Sequence, residues 1–281
     1  MRVLVTGAYG RCGTALIDHL DGDDRYDFTY LNRSDRPDDH EYGGFDTIVA
    51  NVSDYEKMID AARDHDAMVH LGAYPQVGST WEDVHEPNLI GQYNALEAAK
   101  QAEMESFVFA STNHVVGMYE KTLRPDLYAD DYPLVVDHTV PVRPDSFYGA
   151  SKACGESLGR FYIENFEYPE QFYSLRICNV SFTENDGPAA YAETLLTEEG
   201  YDPEDPEFVT KVRRRMAMWH SRRDFAHLVD CCLQDEQVDY DIFYGVSDNQ
   251  NRWFDLEHGR AVIGYRPRDR AEDEPIPWDG R

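Results

Sequence analysis

Two groups of residues in this 281-residue chain have the types and spacing of chemical machinery. Near the N-terminus, Gly7, Gly10 and Gly13 follow the apolar run "RVLVT" (residues 2 to 6) and open a helical pattern. Glycines there permit a tight turn and let backbone amides approach a pyrophosphate at the positive end of a helix. The spacing is GxxGxxG, and glycines alone would equally mark a plain turn; their place between a strand and a helix points to a dinucleotide. Further along, Tyr148 and Lys152 stand four apart in a helical stretch, which puts a phenol and an ammonium on one face about one turn apart. A phenol near pKa 10 is a poor base at neutral pH, but a neighbouring cation can stabilise its phenolate. Lowering it by about three units takes roughly 4 kcal/mol. By spacing alone the plainer reading is a tyrosine packed on a lysine stem.

These residues need a scaffold, and the chain supplies an alternating one. The runs 2 to 6, 28 to 31, 47 to 50, 67 to 72, 106 to 111 and 172 to 177 read as strands buried on both faces. Helical patterns lie between several of them, at 11 to 20, 54 to 64, 87 to 102 and 146 to 165. That order predicts an α/β fold, a doubly wound Rossmann-type parallel sheet spanning residues 1–180. Residues 181–281 read as a small substrate lobe that returns a strand, "DIFYGVS", to the sheet. Within it, 183 to 208 is rich in acids, Pro and Gly and reads as an insertion of loops and short helix.

Charge excludes some partners. Asp and Glu number 54 against 26 Lys and Arg, a formal net charge of -28 that repels nucleic acid and anionic membranes. Lysine occurs only at Lys57, Lys100, Lys121, Lys152 and Lys211. An acid-rich, lysine-poor surface suits a halophilic protein, soluble where molar salt shortens the Debye length to roughly 3 Å. The five cysteines (Cys12, Cys154, Cys178, Cys231 and Cys232) have no CxxC spacing and read as reduced, mostly buried thiols of a cytoplasmic protein. The histidines show no ligand spacing, so no metal is expected. With a strand starting at Arg2 and no long apolar run, neither a signal peptide nor a membrane span is expected.

Taken together, "TGAYGRCG", "NVSD", "HLGA", "EPNLIGQYNALEAA", "FASTNHVVG" and "YGASK" occur in the order and at the distances of the extended short-chain dehydrogenase/reductase (NAD-dependent epimerase/dehydratase) family, which the chain resembles over nearly its whole length. The resemblance implies that Tyr148 is the catalytic base, Lys152 holds the nicotinamide ribose and tunes that base, and Thr112, in preference to Ser111, orients the substrate. It places the dinucleotide against Gly7, Tyr9, Gly10, Arg11, Cys12 and Gly13, then Asn51, Val52, Leu71, Gly72 and Ala73, with Asn88 in the central helix as contact or support. "ASTNHVVGMYE" and "MAMWHSRRDFAHLVDCC" are similar to the uronate dehydrogenase and haloarchaeal glucose-6-phosphate dehydrogenase branch. That branch implies oxidation of an anomeric carbon to a lactone, with Asn113 and His114 on sugar hydroxyls and Ser111 near them. It also puts Arg214 on an anionic group and makes Asn179, Ser221 and Arg222 weaker candidates for the same pocket.

A nucleotide-sugar epimerase or dehydratase would use the same catalytic residues, though the short lobe favours a small sugar; a non-catalytic dinucleotide-binding regulator would commonly lack Tyr148 or Lys152. A homo-oligomer is compatible with either enzyme. The adenosine end carries its own signal. Where the related dehydrogenases carry an acid for the ribose hydroxyls, this chain has Asn32 followed by Arg33 and Ser34, so NADP is expected in preference to NAD.

Overall fold

The computed structural model describes residues 1–37, 39–129 and 132–276; residues 277–281 of the expected lobe lie outside these. Its strands are β1 (Arg2–Thr6), β2 (Asp27–Asn32), β3 (Thr47–Val49), β4 (Ala67–His70), β5 (Ser106–Thr112), β6 (Gln171–Ile177), β7 (Asn179–Val180), β8 (Trp219–His220) and β9 (Tyr240–Gly245). Seven of them form one parallel sheet in the order β3-β2-β1-β4-β5-β6-β9, and β7 and β8 pair separately. The predicted doubly wound Rossmann-type sheet is therefore what forms. The sequence runs outward from β1 to β3 and returns at β4, so the crevice of such a sheet opens above the ends of β1 and β4.

Alternation along the strands builds two cores. Val3 and Val5 of β1 join Leu16 of α1 (Arg11–Leu20), whereas Leu4 points to the opposite face with Met58 of α2 (Tyr55–Ala62). A short helix, α3 (Trp81–Val84), runs through a π-helical turn at His85–Ile90 into α4 (Gly91–Gln101), whose Leu96 joins the Met58 face. The strand prediction needs one correction. β3 is an edge strand, half-exposed along its length, because nothing pairs beyond it; Thr47 to Val49 are not buried on both faces.

α5 (Gly117–Leu123) follows β5 directly, and α6 (Phe147–Asn165) crosses the β5–β6 region. The acid-rich insertion is more ordered than expected. It contains α7 (Pro188–Thr197) and the start of α8 (Pro206–Ala217), each with proline in its first turn, closing on Ala192, Leu195, Phe208 and Val212. α9 (Arg222–Gln234) lies on the α1 side of the sheet, and β9 then pairs with β6 in the register Phe172↔Tyr240, before α10 (Glu257–Val262).

Arg222, the first residue of α9, is a latch. Buried to 1% exposure, it pairs with Asp18 of α1 and donates to the Phe182 carbonyl at 2.6 Å and the Ser181 carbonyl at 3.1 Å. Ser221 caps α9 and donates to Asp269 at 2.6 Å. Neither borders the substrate end of the cleft described below, which corrects their expected place there. The cysteines are also corrected: all five are free thiols, but only Cys178 and Cys232 are buried, and Cys154 is exposed on α6. No helix of the described residues is long and apolar enough to cross a membrane.

Candidate active site

A cleft of about 810 Å³ runs along the C-terminal ends of the sheet, from Asn32 and Arg36 past Gly7, Gly10 and Gly72 to Thr112, Asn113, Tyr148 and Asn179. At its centre Gly7 has φ +70, a left-handed conformation, and a Cβ there would meet the Gly72 amide nitrogen at 2.8 Å. The β1 loop approaches the β4 loop this closely because residue 7 is glycine; a Cβ at Gly72 would instead meet the Val52 side chain at 2.7 Å. Gly10 is the N-cap of α1 and supplies no side-chain cap, so the amides of the first turn are left for a ligand. Tyr9, Arg11, Gly13, Asn51, Val52, Leu71 and Ala73 border the same stretch. Cys12 joins them, its thiol pushed up to about 12 by burial and so neutral beside an anion. These features fit a dinucleotide pyrophosphate.

At the β2 end the Asn32 amide donates to the Ser34 carbonyl at 2.8 Å, folding the turn that carries Arg33. Arg36, absent from the expected set, lies with its guanidinium 5.2 Å from the Tyr9 ring centroid and borders the cleft beside Arg33 and Ser34. The expected contact from Asn88 is corrected. Turned inward by the π-helical segment, its amide donates to the Tyr74 carbonyl and the Ser151 hydroxyl and accepts from the Tyr74 amide, at 3.2, 2.9 and 2.7 Å. It ties the loop after β4 to α6 and does not border the cleft.

The chemistry-bearing end is set by α6. Ser146 caps it by accepting from the Gly149 amide at 3.1 Å, and a Cβ at Gly149 would strike the His114 carbonyl at 2.4 Å. The helix therefore lies directly on the 3-10 turn Asn113–Val116 that ends β5, bringing Tyr148 to Thr112. Thr112 accepts from the His114 amide at 3.2 Å, which leaves its own proton to donate; without substrate it meets the Tyr148 oxygen, a hydrogen bond that favours the phenolate. Burial nevertheless dominates and pushes the Tyr148 phenol up to about 12. Burial also brings the Lys152 ammonium down to about 7; its Nζ lies 4.7 Å from the Phe109 ring centroid. The expected lowered phenol is thus not what the protein alone provides: desolvation disfavours the charged form of each group.

Two substrate expectations separate here. Ser111, though it borders the cleft, donates its hydroxyl to Glu156 at 2.6 Å because strand alternation turns it away from Thr112; it is corrected to a support residue. Asn113 is the opposite case, its buried amide nitrogen lacking any protein partner. His114 is held through Nδ1 by Asp145 at 3.0 Å, a partner that sequence reading missed. Burial opposes the Asp145 charge, but hydrogen bonds from His114 and Ser146 outweigh it and keep its carboxyl below the ordinary range. Arg214 borders a side pocket next to the cleft, but its guanidinium fork is occupied by Glu120.

Glu156 explains how α6 keeps its rotation. One turn beyond Lys152, it forms a buried two-point ion pair with Arg176 of β6, at 3.0 and 2.9 Å. No local pattern announces that pair. Elsewhere, donor atoms of His138, Asp241 and His258 come within 4.8 Å of one another, a proximity invisible in their spacing. The two imidazoles stack at 3.8 Å and 17°, so their in-plane lone pairs do not converge on one ion.

Residues 3–233 match the NAD dependent epimerase/dehydratase family. The chain is 35% identical to an NAD-dependent glucose-6-phosphate dehydrogenase of Haloferax volcanii, across 98% of this chain and 97% of the relative. It is 33% identical to an L-arabinose 1-dehydrogenase (NAD(P)(+)) of the same organism, across 96% and 97%. Among solved structures, a mutant uronate dehydrogenase of Agrobacterium tumefaciens complexed with NAD superposes with a TM-score of 0.72 at 26% identity, covering 96% of this chain and 86% of that one. With a glycine-built phosphate turn and the Tyr148–Lys152 pair on one cleft, the chain belongs to the NAD dependent epimerase/dehydratase family.

Proposed function

We propose that the protein oxidises the anomeric hydroxyl of a sugar to a lactone, passing the C1 hydride to a nicotinamide dinucleotide. The observation that carries this reading is the convergence of Thr112, Tyr148 and the unpartnered Asn113 amide at one end of a cleft whose middle is shaped for a pyrophosphate. Gly7, Gly10 and the first turn of α1 hold the phosphates, and Lys152 meets the nicotinamide-side ribose. Bound there, the dinucleotide supplies the hydride acceptor. Thr112 donates to the sugar O1 and fixes it against Tyr148, whose oxygen takes the O1 proton as C1 gives up its hydride. Lys152, one turn away and easily interconverted near neutrality, stabilises the phenolate when charged. Asn113 and His114 hold ring hydroxyls. The sugars named in the two Haloferax relatives support a free sugar or sugar phosphate over a nucleotide sugar.

NADP is the preferred dinucleotide in this reading. Asn32 carries no charge to repel a 2'-phosphate, and Arg33, Ser34 and Arg36 border the adenosine end. The acid-rich surface belongs to a protein working in molar salt. The test is a panel of arabinose, glucose, glucose 6-phosphate and glucuronate with NAD and with NADP in molar potassium chloride, followed by absorbance of the reduced cofactor. Reduction with at least one sugar is expected, with kcat/KM higher for NADP. Reduction with none sinks the dehydrogenase reading, and a strong NAD preference sinks the assignment of the adenosine end. Tyr148→Phe should lower kcat by about 10²–10⁴-fold while dinucleotide binding, read by fluorescence, persists.

A further inference from the structure

Beside the catalytic end of the cleft lies a second pocket of about 440 Å³, sharing Val77, His114 and Asn179 with it. The wall between a sugar seated against Thr112 and Tyr148 and this space is therefore shared by Val77, His114 and Asn179. The pocket is lined by two carboxylates, Glu120 and Asp145, and three cations, Lys121, Arg124 and Arg214. Both carboxylates are already committed. Glu120 takes the Arg214 fork and the Tyr128 hydroxyl at 2.7 Å, and Asp145 takes His114 and the Ser146 hydroxyl at 3.1 Å. Lys121 and Arg124, at the end of α5, have no acidic partner among the described residues.

Lys57, Arg143, Arg266 and Arg268 likewise have no ion pair among the described residues, so what sets Lys121 and Arg124 apart is their place on a pocket beside the catalytic end. Arg11, Arg33 and Arg36 share the property of lacking an acid partner among the described residues, and all three border the main cleft, where a dinucleotide presents phosphates. The same logic applied next door calls for another anion. Its charge can be argued from the number of free cations. A carboxylate is satisfied by one guanidinium fork, whereas a phosphate monoester carries about -1.5 to -2 at pH 7 and offers three oxygens to several donors. Arg214, the residue that the family resemblance assigns to the anion, cannot serve alone, because Glu120 already neutralises it.

We propose that this side pocket receives the phosphate of a sugar phosphate, held by Lys121 and Arg124 over the Glu120–Arg214 pair, which makes a phosphorylated aldose the substrate class. The inference rests on the sugar dehydrogenase reading above. The experiment compares glucose 6-phosphate, glucuronate and glucose under one salt condition in the wild-type protein, Lys121→Ala, Arg124→Ala and the double variant. Expected is the highest kcat/KM for glucose 6-phosphate. The ratio of its kcat/KM to that of glucose should fall at least tenfold in each single variant, through KM with kcat kept, and further in the double variant. Arg124→Lys should recover part of it, and Arg160→Ala, on the outer face of α6, should leave the ratio where it was. A wild type that prefers glucose or glucuronate, or variants that lower both sugars equally, overturns the phosphate assignment and leaves the dehydrogenase reading standing. Absence of reduction with all three sugars overturns both.

Discussion

Tyr148 and Lys152 are held where each is least comfortable as an ion: burial moves the phenol up to about 12 and the ammonium down to about 7. The sequence made the pair legible through its four-residue spacing taken together with the glycine motif, but neither says anything of desolvation, and the direction for Tyr148 came out opposite to the expectation. A site kept in this state costs stability. The unfolded lysine has a pKa near 10.4, so between about pH 7 and pH 10 the unfolded chain binds more protons than the folded one, and stability rises with pH across that window. Lys152→Met keeps the apolar stem and removes the ionisable end. The variant should lose activity yet melt higher than the parent at pH 7. Its advantage should narrow as pH is raised toward 9, where the parent's amine is neutral in the folded state and increasingly so in the unfolded one. Thermal midpoints of the two proteins measured at pH 6, 7, 8 and 9 decide it; an advantage that is independent of pH would assign the gain to packing instead.

At the scale of elements, what positions the pair is the seating of α6. Its N-terminus rests on the turn after β5 through Gly149, and its middle is pinned to β6 by Glu156 and Arg176. Removing one partner of a buried ion pair leaves the other charge stranded, at a cost of about 3–5 kcal/mol. Glu156→Met should therefore destabilise the fold by that amount in denaturant unfolding. Adding Arg176→Met should return part of the loss, because no charge then remains buried. A double variant as unstable as the sum of the two singles would show that Glu156 and Arg176 do not act as a pair. These elements also mark the limit of what could be read in advance. The strands, α1 with its glycines and α6 with its Tyr–Lys pair are local patterns, each written within about twenty residues, and they appear where the pattern put them. His114 with Asp145, Arg214 with Glu120 and Arg176 with Glu156 are separated by 31, 94 and 20 residues, and no periodicity links such partners. The same holds for Ser111 and Asn88, both legible as polar residues in the right motif. Their roles as braces depend on which face of a strand or π-helical turn they occupy. In the insertion only loops and a short helix could be read, because acids, Pro and Gly dominate its composition, while the four residues that close its small core are spread over two helices.

The molecule as a whole carries a formal charge of -28, and its ion pairs do little to offset the resulting self-repulsion. Most of those pairs, such as Arg2 with Asp66 and Arg63 with Asp60, are at the surface, where each contributes about 0–1 kcal/mol and is itself weakened by salt. The long-range term is different in kind. At about 0.1 M salt the Debye length is roughly 10 Å, so each acid repels many others; at about 1 M it is roughly 3 Å and only immediate neighbours are felt. Unfolding relieves repulsion by moving charges apart, so screening stabilises the folded state more than the unfolded one when one sign dominates. Raising potassium chloride from about 0.1 M to about 2 M should therefore raise the thermal midpoint. For a chain of this size a screening gain of about 2 kcal/mol corresponds to roughly 4–8 °C. The steepest part of the rise should come early, where the Debye length changes most in absolute terms, and sucrose at matched osmolality should not reproduce that shape. A midpoint that stays flat or falls across the range would show that the excess acids are spaced too widely to interact, and that the surface is acidic for a reason other than life in salt.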